Sequence, residues 1–349
     1  MPQPTTCPSC AAPPEPDDRF CGACGTELTS PGSLPRGSTA ANTPTQPASG
    51  APDAYGGGPV EEPPPQHDRP RLRDHQEQEL EGVAAVSDRG LRHRRNEDAF
   101  AVSATALPDG TPAVVAVVCD GVSSAYRPDD ASAVAAESAN ESLLEAIQRG
   151  ASFEDAMRDA LLTAGRAVTD LAAEDPGRSP TPPHNAPACT CVGAIASGKV
   201  LTVGWIGDSR VYWIPDDRSA PASRLTKDDS WAALMVSAGL ASEEEAYADS
   251  RAHAITGWLG ADSGELDPHT TSFEPDGPGV VVVCTDGLWN YAESVEELAS
   301  AVPADARAHP LRCAQVLVEV ALDRGGRDNV TVAVLPFPAT VGRAEHEPA

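Results

Sequence analysis

The tightest constraint on the fold of this 349-residue chain is a series of short apolar runs bounded by turn residues: Ala113–Cys119, Cys191–Ala196, Val200–Ile206, Val211–Ile214, Val280–Cys284 and Val330–Leu335. Runs this short and this rich in Val and Ile read as strands buried on both faces rather than as helices. Two helical patterns lie between the first run and the second. Phe153, Met157, Ala160, Leu161, Ala164, Val168 and Leu171 recur at helical spacing, with Ser152 and Asp155 as a capping signal. Val134, Ala135, Leu143, Leu144 and Ile147 mark the other, which stops at Gly150. Later helices are predicted over Ser294–Ala301, opened by Ser294 and Glu297, and over Leu311–Leu322. Strands, two helices, strands, then helices and a last strand do not make the regular alternation of a doubly wound parallel sheet. The order predicts an α+β fold, an antiparallel β-sandwich flanked by helices.

Composition divides the chain before that domain begins. Two close cysteine pairs, Cys7/Cys10 and Cys21/Cys24, open it. Each pair suits a turn that offers two thiolates to one tetrahedral ion, and the segment resembles a zinc ribbon holding one structural Zn²⁺. Disulfides are the other reading of four such cysteines; the odd total of nine and the absence of a secretory leader argue against it. Next comes a stretch rich in Pro, Gly, Ser and Thr, with too little apolar surface to offset its ordering entropy. The expected organisation is a ribbon over residues 1–29, a disordered linker over 30–79, one large domain over 80–337 and a polar tail over 338–349.

A net charge of −27 repels phosphate backbones and anionic lipid, so neither nucleic acid nor membrane is expected as a partner. Glu15, Asp17, Asp18 and Glu27 against Arg19 make the ribbon itself a poor DNA reader. No apolar run is long enough to cross a bilayer, and the expected compartment is the cytoplasm.

The aspartates carry the chemistry. Asp120-Gly121 follows one apolar run, Asp208 another and Asp286-Gly287 a third, while Asp328-Asn329 stands just before the last. If that last strand runs antiparallel to its neighbours, all four acids converge on one edge of the sandwich. Crowded carboxylates repel, and a divalent cation is the usual compensation. Oxygen-only donors suit Mg²⁺ or Mn²⁺. Any single Asp-Gly pair is more often a plain turn; several in this order are not so easily dismissed.

Read in order, Ser87-Asp88-Arg89-Gly90, Asn96-Glu97-Asp98, Val118-Cys119-Asp120-Gly121-Val122, Gly207-Asp208-Ser209-Arg210, Leu225-Thr226-Lys227-Asp228-Asp229-Ser230, Thr285-Asp286-Gly287-Leu288-Trp289 and Arg327-Asp328-Asn329-Val330-Thr331 resemble the motif series of the type 2C protein phosphatases in their bacterial form. The resemblance implies a binuclear Mn²⁺ or Mg²⁺ centre. Asp120 would bridge the metals, the Gly121 carbonyl would bind one, Asp286 and Asp328 would complete the other, and Glu97 and Asp98 would act directly or through water. It further implies a metal-held water as nucleophile, hydrolysis of phosphoserine or phosphothreonine on a protein substrate, opposition to a Ser/Thr kinase, and a protein partner for the ribbon.

The chain departs from the family pattern in places. Where the family carries a phosphate-holding Arg, it has His93, flanked by Arg92, Arg94 and Arg95. These make His93, Arg92 and Arg94 the candidates for substrate phosphate, although imidazole is no match for a bidentate guanidinium. Val122 stands where animal relatives place a histidine acid. A third metal site, built from Asp208 and Asp286, would end on neutral Asn290 and bind weakly. Residues 228–258, acidic at Glu243, Glu244 and Glu245, would be the flap that shapes substrate choice. His93, Asn290 and Ser123-Ser124, which stiffens a loop where bacterial relatives commonly carry Gly-Gly, motivate an alternative expectation, a catalytically weak phosphoprotein-binding module.

Overall fold

Strand β1 (His75–Leu80) turns back at Gly82 into β2 (Val83–Asp88), and the hairpin opens a sandwich of two antiparallel sheets. The structure is a computed structural model that describes residues 74–173 and 186–339. Cys7, Cys10, Cys21 and Cys24, most of the expected linker and most of the expected tail lie outside the described residues. The chain continues through β3 (Ala99–Ala106), β4 (Pro112–Cys119), α1 (Pro128–Gln148) and α2 (Phe153–Ala173). Then come β5 (Ala188–Cys189), β6 (Cys191–Ser197), β7 (Val200–Ile206), β8 (Arg210–Pro215), β9 (Ser223–Arg224), α3 (Trp231–Ser237) and α4 (Glu243–Tyr247). Last are β10 (Leu259–Gly260), β11 (His269–Phe273), β12 (Gly279–Cys284), α5 (Asp286–Trp289), α6 (Val295–Ala301), α7 (Pro310–Asp323) and β13 (Val330–Phe337).

One sheet runs β1-β2-β13-β12-β8-β9 and the other β11-β7-β6-β4-β3. Strand β4 shows why its sequence lacks polar alternation. Val114, Ala116 and Val118 pack between the sheets against Val281, Val283, Ala333 and Leu335. Val115, Val117 and Cys119 face outward into a second core with Leu143, Ile147, Met157 and Leu161 of α1 and α2. On the other sheet Val282, Val332 and Val334 meet Leu317 and Val318 of α7 in a third core. A strand covered on both sides has no solvent face to mark with polar residues. The capping signals hold: Asp155 N donates to Ser152 Oγ at 3.2 Å, and Ser294 and Glu297 form a capping box at the start of α6.

One boundary is corrected. The linker was expected to run to residue 79, yet β1 occupies His75–Leu80, a polar edge strand exposed along nearly its whole length. An edge strand with one partner and little burial carries no apolar alternation, so its sequence looks like linker.

Candidate metal centre

Register carries the acids to one edge of the sandwich. In the β3–β4 ladder Ala99 faces Cys119, so one step beyond the strands Asp98 stands across from Asp120. Cys284 faces Val332 and Asp88 faces Val330, which brings the end of β12, with Asp286, beside the start of β13, with Asp328. Asp208 follows the end of β7 at the same edge, close enough to act electrostatically on Asp120 and Asp286.

Glycine makes the approach possible. A Cβ on Gly121 would lie 2.5 Å from the carbonyl oxygens of Glu97 and Pro128, and one on Gly287 would lie 1.9 Å from the Asn329 carbonyl. No side chain fits at either position.

Burial and mutual repulsion dominate the electrostatics. Asp120 is driven well above the usual carboxylate range, first by desolvation, then by Asp98, Asp286, Asp328 and Asp208. Asp286 is raised likewise, by burial and then by Asp328. Asp98 and Asp208 are each pushed up to about 7, again chiefly by burial. Asp120 stands close enough to Asp98 and to Asp286 to act on the protonation of both.

A network of hydroxyl, amide and guanidinium side chains orients the acids. Thr285 Oγ1 and Thr331 Oγ1 donate to Asp98 Oδ2 at 3.0 and 2.8 Å, and Ser87 Oγ lies 2.7 Å from Thr331 Oγ1. Ser123 Oγ donates to Glu97 Oε2 at 2.7 Å, and Arg95 Nε donates to Glu97 Oε1 at 2.9 Å. Asn329 Oδ1 accepts from Glu97 N at 2.8 Å, while its Nδ2 donates to the Arg89 and Arg95 carbonyls at 2.7 and 3.1 Å. Sequence reading assigned no role to Thr285, Thr331 or Asn329, and took Ser123 only as a stiffener of its loop. The available signal was their position beside the acid motifs, since a polar residue next to a ligand is often what aims it.

The basic segment sorts itself by partner. His93 Nε2 lies 3.2 Å from Asp328 Oδ1 and its Nδ1 4.0 Å from Glu97 Oε2, so the imidazole faces the acids. Arg89 donates to the His93 carbonyl, and Arg95 is shared between Glu97 and Asp129. Arg92 and Arg94 are exposed, and Arg94 makes no ion pair with a described residue. Asn290 Nδ2 donates to Asp286 Oδ2 at 3.2 Å, turning a donor rather than a ligand toward the expected third site. The flap base is pinned beside Asp208: Gly207 N donates to Asp229 Oδ2 at 2.9 Å, Arg210 forms a two-pronged pair with Asp228, and the guanidinium sits 3.6 Å above Trp289.

The residues fit a pair of hard divalent cations. Asp98 Oδ1 is buried without a hydrogen-bond partner, at the point where carboxylates from separate strands crowd together. An acceptor-only group in that state lacks a cation or a donor. No three His, Cys, Asp or Glu side chains among the described residues are closed around a single point.

The protein phosphatase 2C family model matches residues 89–312, and a zinc-ribbon domain model matches residues 4–28. The Ser/Thr protein phosphatase PstP of Mycobacterium tuberculosis is 28% identical over 258 residues, which are 72% of this chain and 44% of PstP. The chain thus spans less than half the length of that curated relative. The crystal structure of the PstP catalytic domain in complex with two manganese ions has a TM-score of 0.53 at 26% identity, over 73% of this chain and 96% of that one. Stp1 of Staphylococcus aureus, at TM-score 0.58 and 21% identity over 76% of this chain and 96% of that one, shares the fold. This chain belongs to the protein phosphatase 2C family.

Proposed function

We propose that this chain is a metal-dependent protein phosphatase that hydrolyses phosphoserine and phosphothreonine on proteins, in opposition to a Ser/Thr kinase. The observation that carries the reading is the cluster of Asp98, Asp120, Asp286 and Asp328, closed over at Asp98 and open to solvent at Asp328, whose mutual repulsion a divalent cation would relieve. Asp120 and the Gly121 carbonyl, with Asp286, Asp328, Glu97 and Asp98, would hold two Mn²⁺ or Mg²⁺ ions. When bound, such ions activate water as a nucleophile at neutral pH and neutralise charge on phosphate oxygens. Asp98 is aimed by Thr285 and Thr331, and Glu97 by Ser123, Arg95 and Asn329. Arg94 would receive the substrate phosphate, because His93 is engaged by Asp328 and Glu97 while Arg95 is engaged by Glu97 and Asp129. Asp208, Asp286 and Asn290 would make at most a weak third site.

The family match over residues 4–28 supports a ribbon in which Cys7, Cys10, Cys21 and Cys24 hold one structural Zn²⁺. We place it on a Pro-, Gly- and Ser-rich segment ahead of the catalytic domain, where it would recruit a protein partner. Among the described residues no helix is long and apolar enough to cross a membrane, and Cys119, Cys189, Cys191, Cys284 and Cys313 are buried and free, which suits the cytoplasm.

The test is Mn²⁺-dependent turnover of p-nitrophenyl phosphate and of a phosphothreonine peptide. Asp286→Ala should abolish both, and Arg94→Ala should raise KM for the peptide. Tight peptide binding without turnover in the wild type would instead support a binding module.

A further inference from the structure

A cleft of about 220 Å³ opens beside the carboxylate cluster, and none of the roles assigned so far uses it. Its position follows from a short ladder. Thr190 N donates to the Asp120 carbonyl at 2.8 Å and Val122 N to the Ala188 carbonyl at 3.0 Å, so the segment after Asp120 runs antiparallel to β5. Strand β5 pairs in turn with β10, Cys189 facing Leu259. The cleft lies against this ladder, between Val122 and Ala125 of the loop that leaves Gly121 and Ile255 and Trp258 at the end of the flap. Substrate bound at Asp120 therefore lies next to it.

The lining is chemically uneven. Val122, Ala125, Ala188, Ile255 and the half-buried Trp258 ring make an apolar wall. At the rim stands one acid, Asp262, exposed, whose Oδ1 accepts from Trp258 Nε1 at 3.0 Å. That bond leaves the carboxylate with further acceptor capacity, fixes it at the edge of the indole, and has no competitor in the form of an ion pair to a described residue. An apolar channel closed by an anion fits a long side chain that is aliphatic along its stem and cationic at its tip. The net charge of −27 favours a cationic partner over an anionic one before contact.

We propose that this cleft is a side-chain subsite which reads an arginine or lysine near the phosphorylated residue of the protein substrate, with Trp258 and Ile255 packing on the stem and Asp262 pairing with the charge. The proposal rests on the phosphatase reading and specifies its substrate class.

The test uses the full chain with Mn²⁺ and phosphothreonine peptides in which arginine, leucine or glutamate is placed in turn at each of about three positions on either side of the phosphoresidue, a span set by the reach of an extended chain. At one position arginine should raise kcat/KM about tenfold over leucine and more over glutamate, the size of a partly desolvated charge pair. Asp262→Asn should bring the arginine-to-leucine ratio close to one, and Asp262→Lys should turn the preference toward glutamate. Equal kcat/KM for arginine and leucine at every position, or a ratio that survives Asp262→Asn, overturns the subsite. Absence of turnover of p-nitrophenyl phosphate by the wild type would sink the catalytic reading instead. The subsite is then decided by binding of the same peptides, where indifference between arginine and leucine overturns it.

Discussion

Strand β4 has an Asp-Gly pair near each of its ends, and the two behave as opposites. Asp109-Gly110 turns the β3–β4 hairpin. Thr111 N donates to Asp109 Oδ1 at 2.8 Å, and a Cβ on Gly110 would meet nothing within 4 Å. Its carboxyl is held below the usual range by the Thr111 backbone bond. Asp120-Gly121, at the other end, is packed among carbonyls and carboxyls, and its acid is driven well above that range. The same dipeptide is a solvated turn where the chain reverses alone, and a charged knot where other strands end beside it. Local sequence specifies the bend; neighbours decide the chemistry.

The largest test of that contrast is removal of each carboxylate. Asp120→Asn should lower kcat for a phosphopeptide by about a thousandfold or more, since it removes a group expected to organise the reacting charges. Asp109→Asn should leave kcat unchanged. Thermal melts sharpen the result: Mn²⁺ should raise the Tm of the wild type and of Asp109→Asn, but barely that of Asp120→Asn. Relief of crowding should also make Asp120→Asn more stable than the wild type in EDTA.

Backbone fit gives the next effect. Gly121→Ala should cost about 1–3 kcal/mol in urea melts, because the new methyl meets two carbonyl oxygens, and activity should go with it. Gly110→Ala carries only the strain of its φ of +84°, about 1–2 kcal/mol, with activity kept. Comparable loss of activity in both variants would contradict the distinction.

Smaller still is the aiming network. Thr331→Val removes the 2.8 Å bond to Asp98 and should weaken Mn²⁺ binding by about 10–100-fold, with little change in the melt of the metal-free protein. Mn²⁺ titration followed by activity reads this directly. The smallest effect is a pH dependence at the solvated turn. Asp109 has a depressed carboxyl, so its contribution to stability is full above the ordinary carboxylate value of about 4 and fades as pH falls through the lower folded value. The gap in urea midpoint between wild type and Asp109→Asn should therefore close in acid; a gap that widens there would reverse the assignment.

Strands covered on both faces were legible in the amino-acid order because burial permits only apolar residues along their length. Val200–Ile206 is such a run, and its limits are those of β7. Helices α2 and α6 were legible through spacing and caps, which are local. Strands β1 and β11 were not: His75–Leu80 and His269–Phe273 have a single sheet partner each and mostly polar or half-exposed residues. Asp120, Asp208, Asp286 and Asp328 could be singled out because each follows or precedes a readable strand, whereas Glu97 and Asp98, ahead of the unread β3, came only with the family resemblance. Their partners could not, because Thr331 meets Asp98 across 233 residues and Asn329 meets Glu97 across 232. Which hydroxyl aims which carboxylate, and which arginine is left for a phosphate, depends on how strand ends meet in space. Burial leaves its mark on composition along the chain, whereas a contact between distant strand ends leaves none.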